Sequence, residues 1–600
     1  MRKFWFLFIL LFSVQYLFAQ NNQNKSQLAY QYFKDKEFDR AAILYKELYD
    51  ESHSKTYLNY LIKCYTSQRQ FEIAEDILKR ELKKDKRDVN LIVALGGVYQ
   101  LSGEKEKAEK LFLKTIDQLG DSRTDAINLA NAFISQQEFG YAEQTYLKAK
   151  KLSKGQYSYT FELANVYYYA RQYDKMIDQY LDLLSEGDQY IQSVQNRLQA
   201  VIYNQDDGSL NQLLKDELIR RIQKEKDSQI YSELLIWLYL QEKNFKAAYR
   251  QTVAIDKRNK EQGDRLIALG EMALNNNDYE VASECFEYVI QLGAHQINYL
   301  DANIGYLKSM FQQIEAGNYS QKELDKLIDT YQNFLMLEGN NDKTAIVKID
   351  YATILAFYQQ QPDKAIALLE DITIATLPPN IQSKIKLSLA DILLFDDRIW
   401  EATLYYSQVI KSNPNNELGN EAQLKKAKLA YYSGDFLWAK GQLDVLKAST
   451  SKLISNDAFY WSSVVADNYE TENDAQALNA LSQIDYLMYQ KKYTEALSTI
   501  DSAFTTFPKH AIEDDLWYRK GQILNLLSKD DEALAAYRTI VEKYYDDLLA
   551  DNALMAMADI YWFSGQHEKA VELYTQLLVD FPDSFFSNEA RQRIVEFRDS

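Results

Sequence analysis

Four histidines, His53, His295, His510 and His567, are the first candidates for proton transfer or metal binding. None has a second His or Cys three or four residues away, the spacing that would set two ligands on one helix face. The acidic pairs Asp514-Asp515, Asp530-Asp531 and Asp546-Asp547 have the composition for acid–base work or for calcium. Each falls where a helix start or turn is expected, and there carboxylates favour the helix dipole. His567 takes a slot that other segments fill with an aromatic ring, so it is expected to pack. No Gly-rich phosphate loop and no nucleophile elbow occurs in the sequence. The expectation is a chain that is not an enzyme, with no catalytic residue, no metal site and no cofactor. Stacking chemistry is better supplied, by 46 tyrosines.

The elements that would position such groups follow from composition and spacing. With only 19 glycines and 6 prolines in 600 residues, the chain is poor in turn formers for sheet folds, yet 46% of it is apolar. An all-helical fold is the economical reading. Small residues recur within a fixed pattern: an aromatic, two residues, a small residue, three residues, a large apolar one. Phe38-Ala41-Tyr45, Phe71-Ala74-Leu78, Phe139-Ala142-Tyr146, Tyr173-Met176-Tyr180 and Tyr279-Ala282-Phe286 fit it, and Ala108-Phe112 shares the frame. The anchors at 41, 74, 108, 142 and 176 are separated by 33, 34, 34 and 34. Those at 365, 402, 439, 496, 533 and 570 are separated by 37, 37, 57, 37 and 37. Upstream of the last anchor, Leu554, Met557, Ala558 and Tyr561 share one helix face. A unit is therefore a pair of helices whose small residues permit close approach, and stability is shared between neighbours along the array.

Leu554, Ala558, Tyr561, Ala570, Tyr574 and Pro582, with Trp517, Gly521, Ala533 and Tyr537 one unit earlier, resemble the tetratricopeptide repeat. Leu554 and Ala558 replace that family's first Trp and Gly. The resemblance implies an α-solenoid of about fifteen stacked antiparallel helix pairs in a right-handed superhelix. The 37-residue form is similar to repeats of periplasmic and outer-membrane-assembly proteins of Gram-negative bacteria.

Boundaries follow from the spacings: a signal peptide over 1–19, a 34-residue-period array over 20–190, and irregular repeats over 191–340. A 37-residue-period array over 341–450, an extra helix or seam over 451–475, and a C-terminal array with a capping helix over 476–600 complete the chain. The irregular stretches leave room for a degenerate unit around Leu213, a long join at 315–323, and an added helix near 456–470. Cys64 and Cys285 lie about six units apart, too far for a disulfide, and are expected to be reduced.

In this family the first helix of each pair lines the inner groove. The residues eight and seven before each anchor lie at that helix's inner end: Phe357-Tyr358, Leu394-Phe395, Tyr431-Tyr432, Met488-Tyr489, Asn525-Leu526 and Trp562-Phe563. Phe357, Tyr358, Phe395, Tyr431, Tyr432, Tyr489, Trp562 and Phe563 are thus the candidate partner-binding residues, weighed against simple packing of the same rings. Successive residues on a helix point about 100° apart, so one of each pair is expected to face the groove and the other its partner helix.

The start MRKFWFLFILLFSVQYLFAQ has a basic end, an apolar run from Phe4 to Phe12 and a small residue at Ala19, the layout of a secretory signal. With the body's richness in Asn, Lys, Ile and Tyr, it resembles exported proteins of Bacteroidota-type bacteria. A periplasmic or envelope location is expected. The net charge of −19 repels phosphate, which argues against nucleic acid. Residues 461–600 hold 25 Asp and Glu against 12 Lys and Arg, so the acidity concentrates near the C-terminus. The reading is an exported scaffold that binds proteins or peptides of the cell envelope, with peripheral contact to a membrane allowed and no transmembrane segment after signal removal. A glycan-handling module with an aromatic-lined groove is the alternative, and an enzyme with a site at a seam comes last.

Overall fold

The computed structural model describes residues 24–203, 208–225, 229–317, 319–339, 342–372, 376–414, 416–449, 451–469 and 474–599. The signal-peptide reading of 1–19 lies outside them. Among the described residues every regular element is helical, and they form fifteen antiparallel pairs with two unpaired helices, Lys452–Asn468 and Ser587–Asp599. The chain divides into two compact units, Met1–Glu261 and Gln262–Ser600. The first contains seven pairs and the second eight, and each is an α-solenoid in its own right.

The repeat frame holds through both units. Every alanine anchor from Ala41 to Ala570 is at most 1% exposed, and Met176, standing in for alanine, is fully buried. The large residue four positions later fills the space beside it. An added Cβ on Gly96 would come within 2.0 Å of the Phe112 ring, and one on Gly521 within 2.6 Å of Tyr537. Both rings stand four residues after an anchor, so the glycine notch is where the second helix leans on the first.

The turn inside each pair is equally regular. Five residues before each of the twelve anchors above, and before Ala248, which holds the same place in Phe245–Asn259, the backbone is left-handed, with φ from 53° at Gln360 to 90° at Gly103. Glycine takes this place only at Gly103, Gly434 and Gly565; Lys, Arg, Gln, Asn, Asp or Ser takes the others, as at Lys36, Arg69 and Gln137. The hydrogen bonds explain it. The amide of Gly565 donates to the carbonyl of Trp562 at 3.1 Å and that of Gln566 to Tyr561 at 2.8 Å, which closes the last turn of the first helix. Low glycine content coexists with many tight turns because polar side chains tolerate this single left-handed position.

Two of the irregular stretches are helix pairs and the third contains a single added helix. Ile191–Tyr203 and Ser209–Lys224 form the degenerate unit, with Leu210, Leu214 and Leu218 buried. Tyr299–Glu315 and Gln321–Glu338 form another, and Ser320 and Glu323 close a capping box at the start of the second helix. The 57-residue interval holds the added helix Lys452–Asn468. It packs beside Phe436–Leu446 and touches Glu417–Tyr432. Ser587–Asp599 closes the array, and Ala590 is its buried contact. No helix of the described residues is long and apolar enough to cross a membrane. Cys64 and Cys285 are free and buried.

Candidate functional site

All eight candidate rings stand at or within one residue of the C-terminal end of a first helix. Phe357 and Tyr358 end a five-residue π-helical turn, Ile354–Tyr358, in which the amide of Gln359 donates to the carbonyl of Ile354 at 3.0 Å. Phe395, Tyr432, Tyr489 and Phe563 are the last residues of Pro379–Phe395, Glu417–Tyr432, Ala475–Tyr489 and Ala550–Phe563.

The structure brings most of them together. The Phe357 and Phe395 rings meet at 4.8 Å, and Tyr489 lies 6.1 Å from Phe357, 6.4 Å from Phe395 and 6.1 Å from Tyr432. Tyr432 also stacks on Tyr486 at 5.3 Å, and Trp461 of the added helix covers Tyr431 at 5.3 Å. Phe395, Tyr431 and Tyr432 are buried. The expectation that one ring of each pair faces an open groove therefore fails at Tyr431 and Tyr432, where both are enclosed. Their neighbours explain it: the helix Ala475–Tyr489 docks across the ends of earlier first helices. The Tyr489 hydroxyl donates to the carbonyl of Asp391 at 2.8 Å, Tyr486 to that of Leu394 at 2.9 Å, and the Gln490 amide to that of Phe395 at 3.3 Å. The carbonyls of Leu394 and Phe395 belong to the last turn of Pro379–Phe395, where acceptors need partners from outside the helix.

The remaining candidates keep open faces. Tyr358 is half-buried, edge-on to Tyr319 at 6.0 Å, with the Lys491 ammonium 4.3 Å from its ring centroid. Burial pushes the Tyr358 phenol up to about 12 and the Lys491 ammonium down. Trp562 and Phe563 stand apart from the cluster: Trp562 meets His567 edge-on at 4.7 Å, the guanidinium of Arg593 lies 5.4 Å from Trp562 and 5.6 Å from Phe563, and Phe563 is 75% exposed. His567 thus contributes a ring contact.

A second pattern runs along the same first helices. Asp391 and Asp485 stand eleven residues before their anchors, and each bonds a cation at the equivalent step of the next first helix. Lys425 approaches Asp391 at 2.6 Å and Arg519 approaches Asp485 at 2.9 Å. Asp559 holds the same place, and Arg593, at the same spacing along the chain, opposes the rise that burial imposes on its carboxyl. Tyr406 and Tyr574, fifteen residues after Asp391 and Asp559, donate to them at 2.6 and 2.7 Å. At Asp485 the matching residue is Ile500, and Tyr431 donates to it instead at 2.9 Å. Arg519 is 2% exposed and also bonds Asp515 at 3.0 Å, whose other oxygen accepts from the Asn468 amide at 2.8 Å. The added helix is thereby tied to the array at its C-terminal end.

Asp515 is consequently more than a helix-start carboxylate. Burial raises its pKa while the Arg519 charge opposes the rise. Its neighbour Asp514 is pushed up to about 7 by burial and by the charge of Asp515. Among the described residues no group of three or more His, Cys, Asp or Glu is placed to hold a metal ion.

Comparison with known proteins bears on these same C-terminal pairs. Tetratricopeptide-repeat models match residues 481–547 and 553–580. These stretches are similar to the tetratricopeptide repeat. The matched residues include the anchors Ala496, Ala533 and Ala570, whose frame continues backward through both units. No curated protein matches the chain. Among solved structures it is similar to a chain of the Naa15/Naa10 complex bound to HypK-THB, at 12% identity over 97% of each chain with a TM-score of 0.26. It is similar to a chain of the APC/C hetero-tetramer Cut9-Hcn1, at 12% identity over 96% of each chain with a TM-score of 0.25. A third is Pseudomonas aeruginosa pilF, at 17% identity over 42% of this chain and 94% of that one, with a TM-score of 0.26. At these scores no common shape or partner follows.

Sequence reasoning missed the Asp–cation series, although the repeat frame carries a signal for it. Fourteen residues before the anchors from Ala402 onward stand Ser388, Lys425, Ser482, Arg519 and Ala556, so two long cations interrupt a short row of small residues. Each interruption comes one unit after an aspartate at the eleven-before position.

Proposed function

We propose that the chain is an exported, non-catalytic tetratricopeptide-repeat scaffold that holds proteins or peptides in the envelope of a Gram-negative bacterium. The recurrence of one helix pair fifteen times among the described residues carries the reading. Such an array spreads its surface over many equivalent steps, which suits extended macromolecular partners better than a small substrate. The apolar start of the sequence supports export. Because the central aromatic rings fill one another's faces, the reading places partner contact at the open rings, Tyr358 with Tyr319 and Trp562 with Phe563.

Two measurements test this. Protein recovered from its native cells should lie in the envelope fraction and begin at Gln20; an intact Met1 in the cytoplasm refutes export. A photo-crosslinking residue at 563 should capture discrete envelope proteins, and Phe563→Ala should weaken their recovery while leaving the melting temperature unchanged. Retention on isolated polysaccharide with no protein captured would favour the glycan-handling alternative. Absence of both retention and capture would refute the scaffold.

A further inference from the structure

The outward helices of the second unit change character over two consecutive steps. Two residues before the anchors stand Asp363, Trp400, Leu437, Thr494, Asp531 and Glu568. Two residues after them stand Ala367, Leu404, Gly441, Ser498, Ala535 and Glu572. The pairs anchored at Ala402 and Ala439 therefore present large apolar groups where their neighbours present acidic or small ones. Trp400 is 87% exposed, Leu404 58%, and Leu437 and Val445 66% each. Trp400 and Leu404 are four residues apart on one helix, and Leu437, Gly441 and Val445 follow at the same interval on the next, so each set shares a face. Nothing lies within 4 Å of a Cβ added to Gly441, which leaves an open notch between Leu437 and Val445. Phe459 of the added helix borders the ridge: it is 53% exposed, and the Lys447 ammonium lies 5.2 Å from its ring.

Weighting side chains of this size by their exposure gives on the order of 600 Å² of apolar surface. That reaches the top of the ~300–600 Å² of the largest patch on a typical monomer and approaches the ~800 Å² that each partner gives to a stable interface. Charge narrows the occupant. The chain carries −19 overall, and the outward helices Tyr493–Thr506, Asp530–Lys543 and His567–Asp580 are each net acidic. The helices Ile399–Ser412 and Phe436–Leu446, by contrast, are each neutral, with Glu401 offset by Lys411 and Asp444 by Lys440. A second copy of an acidic chain can approach without self-repulsion where the surface ceases to be acidic. An anionic membrane would meet the acidic helices on either side.

We propose that this ridge is the contact of a homodimer, with Trp400 of each copy seated in the partner's Gly441 notch about a two-fold axis. Such an isologous contact pairs the same patch with itself and closes at two subunits.

The test uses the mature chain at micromolar concentration, with light scattering after size exclusion. Wild type should run at twice the chain mass. Trp400→Asp with Leu437→Asp should run as monomer and melt with the wild-type profile below its dimer contribution, since aspartate occupies the same register at 363 and 531. Gly441→Arg fills the notch without touching the monomer's own packing, and it should also yield monomer. A monomeric wild type, or a dimer that survives both variants, overturns the proposal. A wild-type monomer whose Trp400 instead mediates binding to detergent micelles or to a different protein overturns it equally.

Discussion

Removing Arg519 should expose what holds the added helix in register. Its guanidinium is 2% exposed and bonds Asp485 at 2.9 Å and Asp515 at 3.0 Å, both of them buried. Arg519→Met keeps the side-chain length and leaves two enclosed carboxylates without a cation, the situation that costs roughly 3–5 kcal/mol. In a repeat array the loss acts at the junction of neighbouring pairs. The second unit should therefore melt at least ~5 °C lower, given ~2–4 °C per kcal/mol for a domain of 150–250 residues and somewhat less for a larger one. The sign of the pH dependence follows from the carboxylates. Burial already raises the folded pKa of Asp515, and without the opposing charge of Arg519 it rises further above the unfolded value, so the folded variant binds more protons than the unfolded chain. Its deficit should be greatest near pH 8 and shrink as pH falls toward 5. Calorimetry of wild type and variant across that range measures this. Adding Asp485→Leu, Asp515→Leu and Tyr431→Phe to the variant should recover most of the loss, because it removes the unpaired groups together. A deficit below ~1 kcal/mol that does not change with pH would refute the assigned role of the network.

Asp350 is pushed up to about 7 by burial and by the charge of Glu315. A carboxyl with a raised folded pKa destabilises above that pKa and ceases to do so below its unfolded value. Asp350→Asn should therefore raise the melting temperature at pH 8 and lose that advantage progressively by pH 4; an equal effect at both refutes the shift. Gln137 sits at the left-handed turn with φ 62°, so Gln137→Gly should stabilise by roughly 0.5 kcal/mol in denaturant titration. Gly565→Val at the same place, φ 78°, should destabilise; the opposite order would show that the turn is not strained. Burial pushes the Cys64 thiol up to about 12 and Cys285 further in the same direction. A thiol reagent should modify neither in the native protein and both after denaturation, and labelling of either in the native protein would contradict its burial. Tyr432→Ala should lower stability with Phe563→Ala neutral, since Tyr432 is 9% and Phe563 75% exposed; equal melting temperatures would contradict the enclosed aromatic cluster.

The repeat was legible in the sequence because the interactions that make it are local. A small anchor such as Ala570, a ring four residues later at Tyr574 and a turn five residues earlier at Gly565 all act within one pair, and each pair repeats the same steric demand. Each anchor stands in the second helix of a pair, and the 57-residue interval between anchors contains the single helix Lys452–Asn468. The alanines are buried as that frame requires, and both cysteines are free and buried. What the spacing could not convey is how pairs that are not neighbours meet. Tyr486, Tyr489 and Gln490 reach carbonyls far earlier in the chain because the added helix lets Ala475–Tyr489 dock across the end of Pro379–Phe395. That contact turns the aromatic row from an open lining into a closed cluster around Phe357, Phe395, Tyr432 and Tyr489. Periodicity fixes which side of a helix a residue occupies; whether that side meets water or another helix depends on the accumulated rotation from pair to pair. Only the tertiary structure sums those rotations, and so only it decided which of the eight rings remain free.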